Sequence, residues 1–191
     1  MEHPVPDPAN WTWVLDHPDG GAATAGPTPE EVPALLRSNA AGFRNALKRG
    51  GLVDERPPVP PGSPVQLSAL EYAAHIRDVY ARAAERITRM MKKKSPTFAD
   101  WDLDTGVTED HRDEDPDRVA YALAVNAGKV ADLLDKVRGD QWQRTAARPD
   151  GASFTLAAFA LATYHQVTEH LTVVDQGFGA ILEARKLQRK G

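Results

Sequence analysis

The chain has 191 residues, of which 41% are hydrophobic and 26% charged, a composition typical of one globular domain. Its net charge of -4 gives no support for a nucleic-acid interface, which usually presents a basic face. The absence of cysteine excludes disulfides, thiolate metal sites and a cysteine nucleophile. Neither a membrane-spanning apolar run nor a signal peptide is evident, so we expect a cytoplasmic protein without membrane contact.

Two regions are expected along the chain. Residues 1–27 are rich in proline, glycine and alanine, which predicts an extended or flexible tail. Residues 28–191 are expected to form one helical domain. The first helix is predicted to begin at Thr28-Pro-Glu-Glu31, where a capping residue is followed by proline and an acid. Proline-rich residues 57–64 then predict a long, non-helical connection.

The second helix is predicted from a capping box at Ser68-Ala-Leu-Glu71 to about Lys93. His75 lies within its stripe of apolar residues, which predicts that this histidine faces inward. A long polar loop follows over residues 95–114, and loops of this length are often functional. Its most distinctive residues are Trp101, Asp102 and Asp104, and we expect its histidine, His111, to be exposed.

Asp115-Pro116 marks the start of the third helix, since a capping residue precedes proline. A turn at Arg148-Pro-Asp-Gly151 predicts a small hairpin before the fourth helix, which extends from about Thr155 to Leu187. The fourth helix is apolar around much of its circumference, which is typical of a central position in a bundle. The sequence therefore predicts an all-α four-helix bundle with long connections between helices 1 and 2 and between helices 2 and 3.

Polar residues in the fourth helix suggest a metal centre. His165 and Glu169 are four residues apart and share one helical face. If that face meets His75, the three side chains could hold one divalent cation and leave a position for water or substrate. The alternative is that each histidine is an ordinary hydrogen-bonded core residue. His170 points about 100° from Glu169 and is the alternative third ligand if Glu169 is exposed.

Four segments of this chain resemble the DinB-like superfamily of metal-binding four-helix bundles. They are Leu67-Ser-Ala-Leu-Glu-Tyr-Ala-Ala-His-Ile-Arg-Asp78, Pro96-Thr-Phe-Ala-Asp-Trp-Asp-Leu-Asp104, Asp150-Gly-Ala-Ser-Phe-Thr155 and Tyr164-His-Gln-Val-Thr-Glu-His-Leu171. The resemblance covers roughly residues 28–178. It implies metal ligands at His75, His165 and Glu169, although many members of the superfamily have histidine where this chain has Glu169 and aspartate where it has Val173.

The superfamily includes bacillithiol transferases and mycothiol-dependent maleylpyruvate isomerases. The resemblance therefore implies a divalent metal, with zinc or nickel favoured, and a low-molecular-weight thiol such as mycothiol as co-substrate. A thiol transferase acting on a small electrophile is the leading hypothesis. A metal-dependent isomerase or hydrolase, and a non-enzymatic bundle with a degenerate site, are the alternatives. Asp78, Asp102 and Asp104 are candidates for orienting a ligand or contacting substrate, and a homodimer stays open.

Overall fold

The computed structural model describes residues 26–63, 65–98 and 111–189 of this chain. Within these ranges the main elements are four α-helices and one two-stranded antiparallel sheet. The helices are α1 (Val32–Ala46), α2 (Ala69–Lys92), α3 (Pro116–Leu134) and α4 (Leu156–Gln188). The strands are β1 (Thr145–Ala147) and β2 (Ser153–Thr155). No helix in the described part of the chain is both long and apolar enough to cross a membrane.

The directions of the helices follow from which ends of neighbouring helices are in contact. The start of α1 meets the end of α3, where Arg37 binds Asp132 and Asp135 at 2.7 Å, so these helices are antiparallel. In contrast, α1 is parallel to α4. Asn39 donates a 2.9 Å hydrogen bond to Thr168, and Gly42 lies against Leu171 one turn later.

The close approach of α1 to α4 depends on Gly42. A Cβ atom at this position would lie 2.6 Å from a methyl carbon of Leu171, closer than real side chains approach. The opposite pair, α2 and α4, is antiparallel. Residues near the start of α2 pack beside Val174 and Gly177, while Phe98, just after α2, stacks with Phe154 before α4.

Two of the four helix starts follow the capping chemistry predicted from the sequence, and α4 begins beside Thr155 as expected. The Ser68 side chain accepts from the backbone of Glu71, and the Glu71 side chain accepts from the backbone of Ser68, so the predicted capping box is present. Asp115 caps α3 and Thr155 caps α4 in the same manner, each accepting from the backbone N–H three residues later. The predicted hairpin is also present and leads directly into α4.

The start of α1 differs from the prediction. The helix begins at Val32, because residues 28–31 form a turn in which the N–H of Glu31 donates to the carbonyl of Thr28. The Glu31 carboxylate also accepts hydrogen bonds from the backbone and hydroxyl of Thr28. Thr28 therefore closes a turn before the helix and does not cap the helix itself. Of the predicted tail, residues 1–25 lie outside the described residues.

A single apolar core fills the space between the four helices. The predicted stripe of α2 is fully buried, including His75 at 1% exposure. Tyr80, which is also buried, donates its hydroxyl proton to the Leu36 carbonyl at 3.2 Å. Phe98, Phe154 and Phe159 close the core beside the hairpin. The segment that follows α2 is attached to the hairpin, because Phe98 donates to the carbonyl of Ala147.

Glu71 is a buried charge at the start of α2. Its side chain is 4% exposed and accepts two hydrogen bonds from the Arg56 guanidinium, one of them at 2.9 Å. Burial acts to raise the pKa of Glu71, but the hydrogen bonds from Arg56 and Ser68 outweigh it and hold that pKa below its ordinary value. This pair joins the connection before α2 to the helix that carries His75.

We predict that Glu71→Gln lowers the free energy of unfolding by about 1–3 kcal/mol at neutral pH. Glutamine preserves the capping-box acceptor but removes the charge that Arg56 binds. Because the folded-state pKa of Glu71 is depressed, its charge stabilises the fold above the unfolded-state pKa of about 4.3, and this stabilisation is lost as the pH falls through the folded-state value. Urea unfolding from neutral to acidic pH measures the difference from wild type.

The control for that experiment is Glu85→Gln, which removes an exposed carboxylate paired with Arg89 on the same helix. We expect its effect to stay within about 0.5 kcal/mol at any pH. A Glu71→Gln effect that does not shrink in acid would show that the charge of Glu71 is not the stabilising feature.

Candidate metal centre

His75 occupies the second turn of α2, and both of its ring nitrogens are buried from solvent. The Ser68 capping box fixes where α2 begins, and the apolar stripe fixes which face of the helix turns inward. An imidazole held in this way has a defined position before any ligand arrives.

His170 on α4 meets His75, and Gln166 precedes it by one turn of the helix. Gln166 and His170 are four apart and therefore lie one above the other on the helix. Gln166 is 1% exposed, and its side-chain oxygen is buried. The His170 ring is half-buried, with its centroid 5.2 Å from that of His75. On its other side His170 meets the edge of Tyr72, with the centroids 5.5 Å apart.

A backbone hydrogen bond fixes the tautomer of His170. Its Nδ1 lies 2.7 Å from the carbonyl oxygen of Gln166, one turn earlier on α4. A carbonyl only accepts, so Nδ1 carries the proton and donates. When the ring is neutral, the lone pair is therefore on Nε2, which is the form that binds metal ions. The helix backbone thus supplies the supporting hydrogen bond that metal-binding histidines require.

The distance between the two histidine rings is compatible with a shared divalent ion. Ligand bonds of about 2.0–2.1 Å place each ring centre roughly 3 Å from an ion, so two imidazoles at a tetrahedral angle have centres about 5 Å apart. The separation of 5.2 Å between His75 and His170 matches this value. No carboxylate completes the pair, because the described residues contain no cluster of three His, Asp or Glu side chains able to hold an ion. Gln166, one turn before His170 on α4, has a buried neutral amide oxygen.

The three ligands expected from the sequence do not form one cluster. His165 is exposed on α4, with its ring against Tyr164 at 5.5 Å between centroids, and this partial covering lowers its pKa. Residue 165 is about 140° around the helix from residue 170, so both cannot face α2. The structure brings His170, the alternative ligand, to His75 in place of His165. Glu169 is half-buried between these two directions.

Glu169 contributes charge to the neighbourhood. Burial raises the pKa of the Tyr72 hydroxyl, and the negative charges of Glu71 and Glu169 raise it further. Tyr72 is therefore neutral near pH 7. Its edge supports the His170 ring, while Glu169 lies close enough to influence it electrostatically.

Asp78 belongs to a different cluster. Its carboxylate binds the guanidinium of Arg77 at 2.8 and 2.9 Å and lies 3.9 Å from His111. Arg77 also binds Glu114 and holds the pKa of that carboxyl below its ordinary value. His111 is 6% exposed, contrary to expectation, because its Nδ1 meets Glu114 at 2.7 Å. Asp102 and Asp104 lie outside the described residues.

Two residues of this centre were not singled out from the sequence. Gln166 is the residue one turn before His170 on the same face, and that spacing is the signal that could have revealed it. Tyr72 precedes His75 by three residues, which places it beside the histidine on α2. Neither residue type is a usual metal ligand, so chemistry alone gave no reason to select them.

Comparison with known proteins supports the fold. A scan against protein-family models finds no match, and a search of curated proteins finds no relative in sequence. Among solved structures, the chain is similar to YfiT from Bacillus subtilis, which is described as a probable metal-dependent hydrolase with an unusual four-helix bundle topology. The TM-score is 0.67 at 16% identity, over 81% of this chain and 88% of YfiT. The four-helix bundle is therefore confirmed as the fold.

We predict that metal content distinguishes His170 from His165. Protein purified without a tag and loaded with zinc should hold about one ion per chain, because the imidazoles of His75 and His170 lie together. His75→Ala and His170→Ala should each weaken binding at least about 100-fold, whereas His165→Ala should bind as wild type does. Mass spectrometry of the metal after dialysis measures the content. Loss of the ion in His165→Ala with retention in His170→Ala would contradict the arrangement.

Proposed function

We propose that this protein is a metal-dependent enzyme that transfers a low-molecular-weight thiol to a small electrophile. The observation that carries the proposal is the contact between the rings of His75 and His170, in which the Nδ1 of His170 donates to the carbonyl of Gln166. The lack of cysteine also supports it, since the sulfur nucleophile then has to come from a co-substrate. The resemblance of residues 67–78 and 164–171 to the DinB-like superfamily suggests mycothiol or bacillithiol as that thiol.

Each residue of the centre has a role under this proposal. His75 and His170 would hold the ion, and the Gln166 carbonyl keeps the His170 ring oriented through Nδ1. When bound, a divalent ion supplies Lewis acidity that lowers the pKa of a thiol or of water, as zinc and nickel do. Gln166 lies at the same buried face and presents an uncharged amide to whatever binds there.

A metal-dependent hydrolase is the second candidate, and the observation that favours it is the structural similarity to YfiT. The same pair of histidines would serve both reactions, so the two candidates differ in whether thiol is consumed. A third possibility, a non-enzymatic bundle, rests on the lack of a third His, Asp or Glu ligand beside the two histidines among the described residues.

We predict that the zinc- or nickel-loaded protein joins mycothiol or bacillithiol to monochlorobimane. The thiolate sulfur forms the new carbon–sulfur bond, chloride leaves with its electron pair, and the thiol proton passes to solvent. Conjugate fluorescence measures turnover, and His170→Ala should lose at least about 100-fold of it relative to His165→Ala. Cleavage of p-nitrophenyl acetate without thiol, lost in the same variant, would identify the hydrolase instead. Metal uptake without either activity would contradict an enzymatic role for the tested chemistries.

A second prediction concerns Gln166→Glu, which places a carboxylate at a buried position one turn before His170. Two imidazoles and one carboxylate form a common catalytic ligand set, so zinc affinity should rise at least about tenfold. Without metal the buried charge is costly, so the variant should melt below wild type and recover when zinc is added. Calorimetric titration and thermal melts measure the two effects.

Gln143→Glu is the matched control, because it makes the same chemical change at an exposed position outside the bundle core. It should leave zinc affinity and melting temperature unchanged. Equal behaviour of the two variants would show that Gln166 does not adjoin the ion.

A further inference from the structure

A groove on the opposite side of the domain has no role in the proposed centre. It encloses about 450 Å³ between α1 and α3. Its floor is formed by apolar residues of both helices, among them Leu47, Ala120 and Ala124. At its edge the Tyr121 side chain is 73% exposed, and the neighbouring Val125 is 38% exposed. Two exposed apolar side chains bordering one groove form the kind of surface that a partner covers.

The charges on the groove walls have opposite signs. Arg44 and Lys48 are one turn apart on α1, and Asp117 lies across from them in the first turn of α3. Within the described ranges none of these three side chains makes an ion pair. The groove therefore has basic side chains on its α1 side and an acidic side chain directly across from them on its α3 side. Apolar residues lie between the two.

This pattern is complementary to itself. Because α1 and α3 are antiparallel neighbours that line the same groove, a twofold axis running along them would place α1 of one copy on α3 of the other. This rotation leaves the position of each residue along the helix axis unchanged, so Asp117 of each copy would meet Arg44 and Lys48 of the other. Tyr121 of each copy would enter the partner's groove and bury its ring. Aromatic rings in such positions commonly carry much of the binding energy.

We propose that the groove between α1 and α3 is the interface of a homodimer. The charge pattern favours a second copy of this chain as the occupant, because the acidic side of each groove would face the basic side of the other. The histidine centre lies between α2 and α4, so dimerisation would leave it undisturbed.

Sedimentation equilibrium of the full-length chain tests the proposal. Wild type should have a mass of about 42 kDa, twice the 20.8 kDa of one chain. Tyr121→Ala should raise the dissociation constant at least about 30-fold, as for a residue at the centre of an interface. Alanine is a good helix former, so the folded monomer should not lose stability on thermal melting. Leu182→Ala removes an exposed apolar side chain from α4 and is the control that should remain dimeric.

Exchanging the charges of Asp117 and Arg44 tests whether these two residues meet across the dimer interface. Asp117→Arg should weaken the dimer, and combining it with Arg44→Asp should restore it, because the opposite signs then meet again across the twofold axis. A wild type that is monomeric throughout, or a dimer unaffected by Tyr121→Ala, would overturn the proposal. It would also be overturned if the chain dimerised only after removal of residues 1–25, because the groove would then bind the chain's own N-terminal segment.

Discussion

The candidate centre depends on one polar contact, in which the rings of His75 and His170 meet between two antiparallel helices. A polar group in an apolar core destabilises the fold unless its hydrogen-bonding atoms are satisfied. The α4 backbone meets part of that requirement through the carbonyl of Gln166, and this bond leaves Nε2 of His170 as an acceptor. The same hydrogen bond that supports the contact is therefore also the one on which the proposed cation site depends.

The position of His75 in that contact follows from the start of α2. The Ser68 capping box fixes the first turn, and the carboxylate of Glu71 joins that turn to Arg56 in the preceding connection. Tyr72 then supports His170 from the side, so the first two turns of α2 carry both the helix start and the centre. Capping, a buried ion pair and the candidate metal site are thus parts of one continuous local structure.

Helix starts could be predicted from the sequence, because capping is a short-range interaction between residues three apart. Ser68, Asp115 and Thr155 illustrate this, whereas Thr28 forms a turn with Glu31 and shows that an alternative hydrogen bond can satisfy the same side chains. The inward position of His75 was equally predictable, since α2 has a distinct apolar stripe.

The ligand on α4 could not be predicted in this way. Apolar residues surround much of that helix, so periodicity does not indicate which face meets α2. His165 and His170 were both available, and only the packing of α4 against α2 distinguishes them, with His165 exposed and His170 against His75. Gln166 was missed for a related reason, because its importance comes from its neighbours in the fold and not from its own chemistry.

The most direct test of this account is a crystal structure of the zinc-loaded protein with anomalous diffraction measured at the zinc absorption edge. The account predicts one anomalous peak between the rings of His75 and His170, about 2 Å from Nε2 of His170. A peak beside His165, or the absence of a peak between His75 and His170 in zinc-saturated crystals, would contradict it.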